Sequence, residues 1–253
     1  MARNIPILTF HDISKKKSVI SFAPELFERS MSLLSRHGYK TFRLMEISEW
    51  QGIREPFPDR ALIITFDDGY KSVFDNAFQV LKRYGMTATV FLTTGEKKSA
   101  RDGGRLPSIN DSLMLSWEEI RGMHAQGIDF GAHTLTHQDL TRVSLKEAEN
   151  EIYRSKAIIE EILNAPVPCF AYPFGKYNHE IYRIVRRHFS CACTDRLGLI
   201  NLKSDPYTLD RVDSYYLRSD SSFKLIFTGL FPLYIKARSI PRNIRRSFAE
   251  YLR

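Results

Sequence analysis

Two aspartates stand side by side in ITFDDGYKSVFD, the stretch from Ile64 to Asp75, where an apolar run ends. Adjacent carboxylates repel, and burying both is costly unless a cation lies close. On their own, Asp67 and Asp68 also fit an Asp-Asp-Gly turn that caps the next helix. A second set, His133 and His137 in GAHTLTHQDL, follows another short apolar run. A spacing of four places both imidazoles on one face if the segment turns helically. Two imidazoles and one carboxylate around a divalent ion leave positions for water and substrate, the pattern of a catalytic ion rather than a structural one. The second aspartate is then free to accept a proton.

These residues need a scaffold that brings them together. Short apolar runs predict strands at Ile5–Phe10, Ala61–Phe66, Thr87–Leu92, Ile128–Gly131, Val167–Ala171 and Ser190–Thr194. Amphipathic stretches alternate with them. Pro24–His37 starts with proline and stops before Gly38. Tyr70–Tyr84 stops before Gly85. Ser116–Gln126 and Ser144–Leu163 both open as capping boxes, with Glu119 and Glu147 three residues after the serine. Asn178–Arg187 is a further helix. Strand–helix alternation of this rhythm means parallel strands, in a doubly wound sheet or a β/α barrel. Both collect active residues at the C-terminal ends of strands. That is where Asp67, Asp68, His133 and His137 fall, as does His11 in ILTFHDI. CFAYPFGKYN, from Cys169 to Asn178, runs from a strand into a rigid turn with aromatic walls. Lys97–Asp111 reads as a long loop. No role is expected for His37, His124, His179 or His188.

The bulk numbers narrow the class. The 253 residues, 43% of them hydrophobic, suffice for a full core. Three cysteines, Cys169, Cys191 and Cys193, do not make a disulfide framework and read as buried thiols. The net charge of +8 is uneven. From Arg218 onward eight Lys and Arg face only Asp220 and Glu250, so this stretch carries +6 and the body is nearly neutral. A nucleic-acid-binding body is disfavoured. The opening MARNIPILTFHD lacks an apolar core of signal-peptide length, and no run reaches the roughly 18–20 apolar residues that span a bilayer. The expected compartment is cytoplasmic.

TFDDGY, HTLTH and YPFG, in this order and at these separations, resemble the polysaccharide deacetylases, carbohydrate esterase family 4. The motifs run from Thr65 to Gly175, and the strand–helix rhythm extends the likeness over roughly Ile5–Leu217. The resemblance implies a distorted β/α barrel of about seven parallel strands, and removal of an acetyl group from an amino sugar with the help of a divalent ion. Zinc is expected first; an Asp-His-His set also accepts cobalt or nickel. By position, Asp67 resembles the catalytic base, and Asp68, His133 and His137 the metal ligands. Phe174 resembles the residue whose backbone N–H helps hold the oxyanion, with Tyr172 and Pro173 shaping its turn. Tyr70 joins them as a substrate contact. Two departures stand out. Many members have an arginine, which positions the base, where this chain has Ala171. Many also carry a Leu-x-His near the C-terminus that supplies the acid, and no histidine follows His188. A branch active on surface polysaccharides and biofilm exopolymers has its histidine near the N-terminus instead. ILTFHDI resembles that branch, which makes His11 the expected acid. Arg211, in TLDRV, is the expected substitute for the missing arginine.

The domain expectation is a catalytic unit over residues 1–217 and a basic, partly apolar helical extension over 218–253. The extension reads either as a helix packed on the barrel or as an interfacial segment over residues 222–253 on the anionic inner leaflet. The expected substrate is an acetylated amino sugar in a polysaccharide, an oligosaccharide or a lipid-linked glycan. A non-catalytic carbohydrate-binding module on the same fold, or a deacylase of a non-sugar amide or ester, are the alternatives.

Overall fold

The computed structural model describes residues 4–53, 55–95, 104–109 and 112–251, with side chains as far as residue 242. Of the expected loop at Lys97–Asp111, residues 97–103, 110 and 111 lie outside the described residues. Eight strands are described: β1 (Ile7–Phe10), β2 (Lys40–Thr41), β3 (Ala61–Phe66), β4 (Thr89–Leu92), β5 (Asp129–Ala132), β6 (Cys169–Ala171), β7 (Cys191–Leu197) and β8 (Leu209–Asp213). All pair in parallel. β1 bonds to both β8 and β3, so seven strands close into a barrel and β2 lies outside the ring, against β3. This is the expected distorted β/α barrel.

The period-2 alternation of strands splits the core in two. Ile7, Ile63, Phe91, Cys169, Cys191, Cys193 and Leu209 belong to one buried cluster, which fills the barrel. Their neighbours Leu8, Phe10, Ile64, Val90, Phe170, Ala192 and Val212 belong to the other, beneath the helices. The inward parity continues up the strands. Thr9 and Thr65, register partners on the neighbouring strands β1 and β3, meet inside the barrel through their hydroxyls at 3.0 Å. One further step along the same parity reaches His11, Asp67 and, on their strands, His133 and Arg211. All three cysteines are buried and free, with Cys191 and Cys169 sulfurs 3.4 Å apart on paired strands.

The helices follow their local signals. α1 (Pro24–Arg36) carries proline in its first turn. After a π-helical stretch at Val73–Phe78, α3 (Gln79–Arg83) follows α2 (Glu46–Ile53) in the chain. The expected straight helix over Tyr70–Tyr84 is thus widened in the middle. There it receives the β1 loop: Ser72 Oγ accepts from the Ile13 N–H and donates to Asp12, and Asn76 donates to the Ile13 carbonyl. α4 (Trp117–His124) has the full Ser116–Glu119 capping box. α5 (Leu145–Leu163) is capped by Ser144, and α6 (His179–His188) by Asn178.

The chain after β8 folds back over the barrel through α7 (Asp220–Lys224) and α8 (Phe231–Tyr251). Phe223, Ile226, Phe231 and Ile235 are buried in the outer core cluster. Tyr39 Oη donates to the Ile226 carbonyl, and Tyr234 Oη to that of Tyr216. Among the described side chains of residues 222–242, part of the apolar face that an interfacial anchor would need is therefore spent on the barrel, while Leu230, Leu233 and Ile240 are exposed. Among the described residues, no helix is long and apolar enough to cross a membrane.

Candidate active site

A cavity of about 340 Å³ opens at the C-terminal ends of the strands. Thr9, His11, Asp67, Asp68, Tyr70, His133, His137, Tyr172, Phe174 and Arg211 all line it. Pro173 is buried in the turn below and is not among the lining residues.

Asp67 is 3% exposed and Arg211 4%. The guanidinium grips the carboxylate in a fork: Nη1 donates to Oδ1 and Nη2 to Oδ2, each at 2.7 Å. Arg211 is itself fixed, since Nε donates to the Thr194 carbonyl at 2.7 Å and its guanidinium carbon lies 5.9 Å from the Phe91 ring centre. Gly131 makes room for that ring; a Cβ there would lie 2.5 Å from it. Burial by itself would raise the pKa of Asp67, but the charge and hydrogen bonds of Arg211 outweigh it and hold the carboxyl far below the usual range. Asp67 is a fixed anion. His11 Nε2 lies 3.7 Å from its Oδ2.

Asp68, His133 and His137 form the second half. Their donor atoms all lie within 4.8 Å of one another. Asp68 Oδ1 is 3.5 Å from His133 Nε2 and 3.4 Å from His137 Nε2. The Ala171 carbonyl lies 2.7 Å from His133 Nδ1, which favours a proton there and leaves Nε2 as the ring atom that faces Asp68. Arg211 neutralises only one of the two buried carboxylates. Asp68 Oδ1 is buried with no hydrogen-bond partner, a costly state for a carboxylate oxygen unless a cation fills the gap. Burial lowers the affinity of both imidazoles for protons, yet Asp68 and Asp67 hold His133 above the usual imidazole range. Burial and the neighbouring His133 bring His137 down to about 4, so it is neutral at pH 7 and able to ligate. The donor set fits a divalent ion.

The segment from His133 to His137 is not helical, contrary to the geometry assumed from its spacing. Thr134 and His137 have positive φ, at 69° and 59°, and the turn delivers both rings to one point. Glu151 on α5 holds it: its Oε2 accepts from the Leu135 and Thr136 N–H groups at 3.0 and 2.9 Å, and its Oε1 from the Thr136 hydroxyl at 2.9 Å. Asp68, with φ 72°, and Phe174, with φ 57°, are likewise left-handed. Of the six non-glycine residues with positive φ among the described residues, only Arg60 and Asn164 lie elsewhere. Such backbone costs on the order of 1–3 kcal/mol per residue and tends to gather at functional sites. The Phe174 ring packs edge-on to His137 at 4.7 Å. Tyr172 is buried, its hydroxyl donating to the Tyr207 carbonyl at 3.1 Å.

The motifs, the barrel and the convergent Asp-Asp-His-His set agree with one family model, described as polysaccharide deacetylase, which matches residues 54–188. The chain belongs to the polysaccharide deacetylase family. Hydrolysis of an acetyl group on an amino sugar, the expected activity class, accords with that membership. YxkH of Bacillus subtilis, named for the same family, is 29% identical over 209 residues, covering 82% of this chain and 70% of its own length. The poly-β-1,6-N-acetyl-D-glucosamine N-deacetylase of Staphylococcus aureus is 24% identical over 187 residues, which span 70% of this chain but only 62% of that relative. The solved deacetylase PplD of Streptococcus pyogenes, in complex with acetate, superposes with a TM-score of 0.75 at 24% identity, over 84% of this chain and 93% of that one. IcaB from Ammonifex degensii gives 0.73 at 23%, over 88% and 95%. These two likenesses concern the fold.

Proposed function

We propose that the chain is a metal-dependent N-deacetylase of amino-sugar glycans. The observation that carries this reading is the division of the Asp67–Asp68 pair: one carboxylate is locked to Arg211, the other is left open toward two imidazoles. The staphylococcal relative bears the name of a deacetylase of poly-β-1,6-N-acetyl-D-glucosamine, which supports an N-acetylated glycan as substrate.

Asp68, His133 and His137 would hold the ion. When bound, a divalent ion such as zinc polarises the acetyl carbonyl and acidifies an attacking water. Asp67, ionised before the reaction, is placed to accept a proton from the attacking water, and Arg211 keeps the carboxylate aimed at it. The pairing also weakens Asp67 as a base, so the arrangement favours orientation over basicity. His11, 3.7 Å from Asp67 and on the same rim, delivers a proton to the sugar nitrogen as the C–N bond breaks; an unprotonated amine would leave poorly. Phe174 presents its turn to the acetyl oxygen, and Tyr70 and Tyr172 shape the pocket floor. The products are acetate and a free amino sugar.

The test is acetate release from N-acetylglucosamine oligomers and from a lipid-linked N-acetyl sugar, with and without chelator. Release should stop with chelator and return with zinc, cobalt or nickel. Absence of acetate from both substrates in the metal-loaded protein would rule out the proposed activity. A loaded protein that binds oligomers without turnover would favour the binding-module alternative.

A further inference from the structure

Part of the cavity wall carries polar groups that the hydrolysis does not use: Asp195, Asp213 and Arg242. They come from three elements. Asp195 lies in β7 where the pairing with β8 slips its register between Cys193 and Leu197. Asp213 ends β8. Arg242 is brought by α8, so the chain after the barrel reaches the mouth of the site. Arg242 Nη2 donates to Asp195 Oδ2 at 3.1 Å, Nη1 lies 3.9 Å from Asp213 Oδ2, and the guanidinium carbon is 5.9 Å from the Tyr216 ring centre.

The cluster adjoins the reacting centre. A Cβ on Gly175 would sit 1.8 Å from Asp195 Oδ1, so that carboxylate lies directly against the turn that carries Phe174. The Asp195 and Asp213 side chains remain 30% and 32% exposed, and Arg242 18%. Asp213 Oδ1 caps the turn after β8, accepting from the Tyr215 N–H at 2.8 Å, and its other oxygen faces Arg242. Ion pairs of such exposure contribute about 0–1 kcal/mol to stability, so folding gives little reason to bring Arg242 and Asp195 to the same rim. Their chemistry suits a sugar. A ring hydroxyl can donate to a carboxylate and accept from a guanidinium at once. The half-exposed Phe174 ring offers an apolar face beside them. Two carboxylates against one guanidinium leave the wall net negative, which opposes an acidic sugar.

We infer that Asp195, Asp213 and Arg242 form a saccharide subsite that binds the hydroxyls of a neutral glycan at the acetylated residue, and that it discriminates against acidic glycans. The inference rests on the proposed deacetylase function for the identity of its ligand. Calorimetry on the full chain with chelator present separates it from catalysis, using an N-acetylglucosamine tetramer and an alternating N-acetylglucosamine–glucuronic acid tetramer as probes. The wild type should bind the neutral tetramer more tightly than the acidic one. Arg242→Gln and, as an independent variant, Asp195→Asn should each weaken neutral binding by about tenfold, as expected for loss of one charge-assisted hydrogen bond. In acetate release the loss should fall on KM rather than kcat. Unchanged affinity and KM in both variants, a preference for the acidic tetramer, or no neutral binding by the wild type would overturn the subsite. Weakened binding without any acetate release would instead keep the subsite and remove the reaction.

Discussion

Arg211 and Asp67, 144 positions apart in the chain, meet through two parallel 2.7 Å hydrogen bonds inside the barrel. The arginine stands on β8, two strands round from Ala171 on β6, where many members of the family carry one. Thr194 and Phe91 hold it in place. Removing one partner of a buried pair strands the other charge, at a cost of about 3–5 kcal/mol. Arg211→Ala should therefore lower the unfolding free energy by about that amount and abolish acetate release. Arg211→Lys should keep more of the stability but little of the activity, because a single ammonium cannot grip both oxygens. Denaturant unfolding and acetate release measure the two effects. Wild-type kcat in the lysine variant would remove the fork from the mechanism.

The same pair sets a pH dependence. The pKa of Asp67 is depressed in the folded protein, so the ionised carboxylate favours folding. That contribution is fully present above the unfolded aspartate value of about 3.9 and is lost as pH falls through the folded one. Asp67→Asn should be less stable than wild type at pH 7, and the gap between their melting temperatures should narrow below about pH 4. The variant should lose turnover yet still bind metal. Loss of metal from Asp67→Asn would make Asp67 a ligand.

Glu151 places the metal-binding turn without touching the proposed ion. Three donors from Leu135 and Thr136 converge on its carboxylate. Glu151→Ala should weaken zinc affinity by about 10- to 100-fold, the usual effect of losing an outer-shell partner. Glu151→Gln should retain most of it, because one amide oxygen can still accept from both backbone N–H groups while the Thr136 hydroxyl turns to accept. His133→Ala should lose the ion altogether. Metal content after dialysis measures all three, and full occupancy in His133→Ala would remove it from the ligand set.

How far the chain could be read without coordinates depends on which residues carry local signals. Helix ends with a serine cap and a glutamate three residues on lie within two residues of their expected bounds, because capping is a local interaction. Asp67, His133 and His11 are visible because each follows an apolar strand on its inward parity, and Asp68 and His137 because they stand one and four positions beyond two of them. β8 is not visible in this way: Leu209–Asp213 has three charged residues in five, and Arg211 follows Leu209 on the inward parity where the other strands carry apolar residues or threonine. Glu151 looks like one more glutamate on a helix that also has Glu147 and Glu149. Arg242 is one of eight basic residues in its stretch, and only the return of α8 along the barrel gives it a neighbour in the site. The left-handed turn at His133–His137 has no glycine to announce it.

In the proposed reaction His11 is the proton donor to the leaving nitrogen, and its position depends on the loop behind it. Asp12 accepts from Ser72 at 2.6 Å and from Ser14 and Ser21 at 2.5 and 3.1 Å, which ties the segment after β1 to the helix that follows Asp67. His11→Ala should lower kcat by about 10²- to 10⁴-fold, the range for loss of a general acid. Metal content and stability should stay near wild type, because His11 is outside the ligand set and partly exposed. An acetylated substrate with a leaving group that needs no proton, such as a phenyl ester, should be far less affected, since only the amide nitrogen must be protonated to depart. Equal losses on amide and ester would show that His11 acts on the attack step, and a near wild-type rate on the amide would remove it from catalysis.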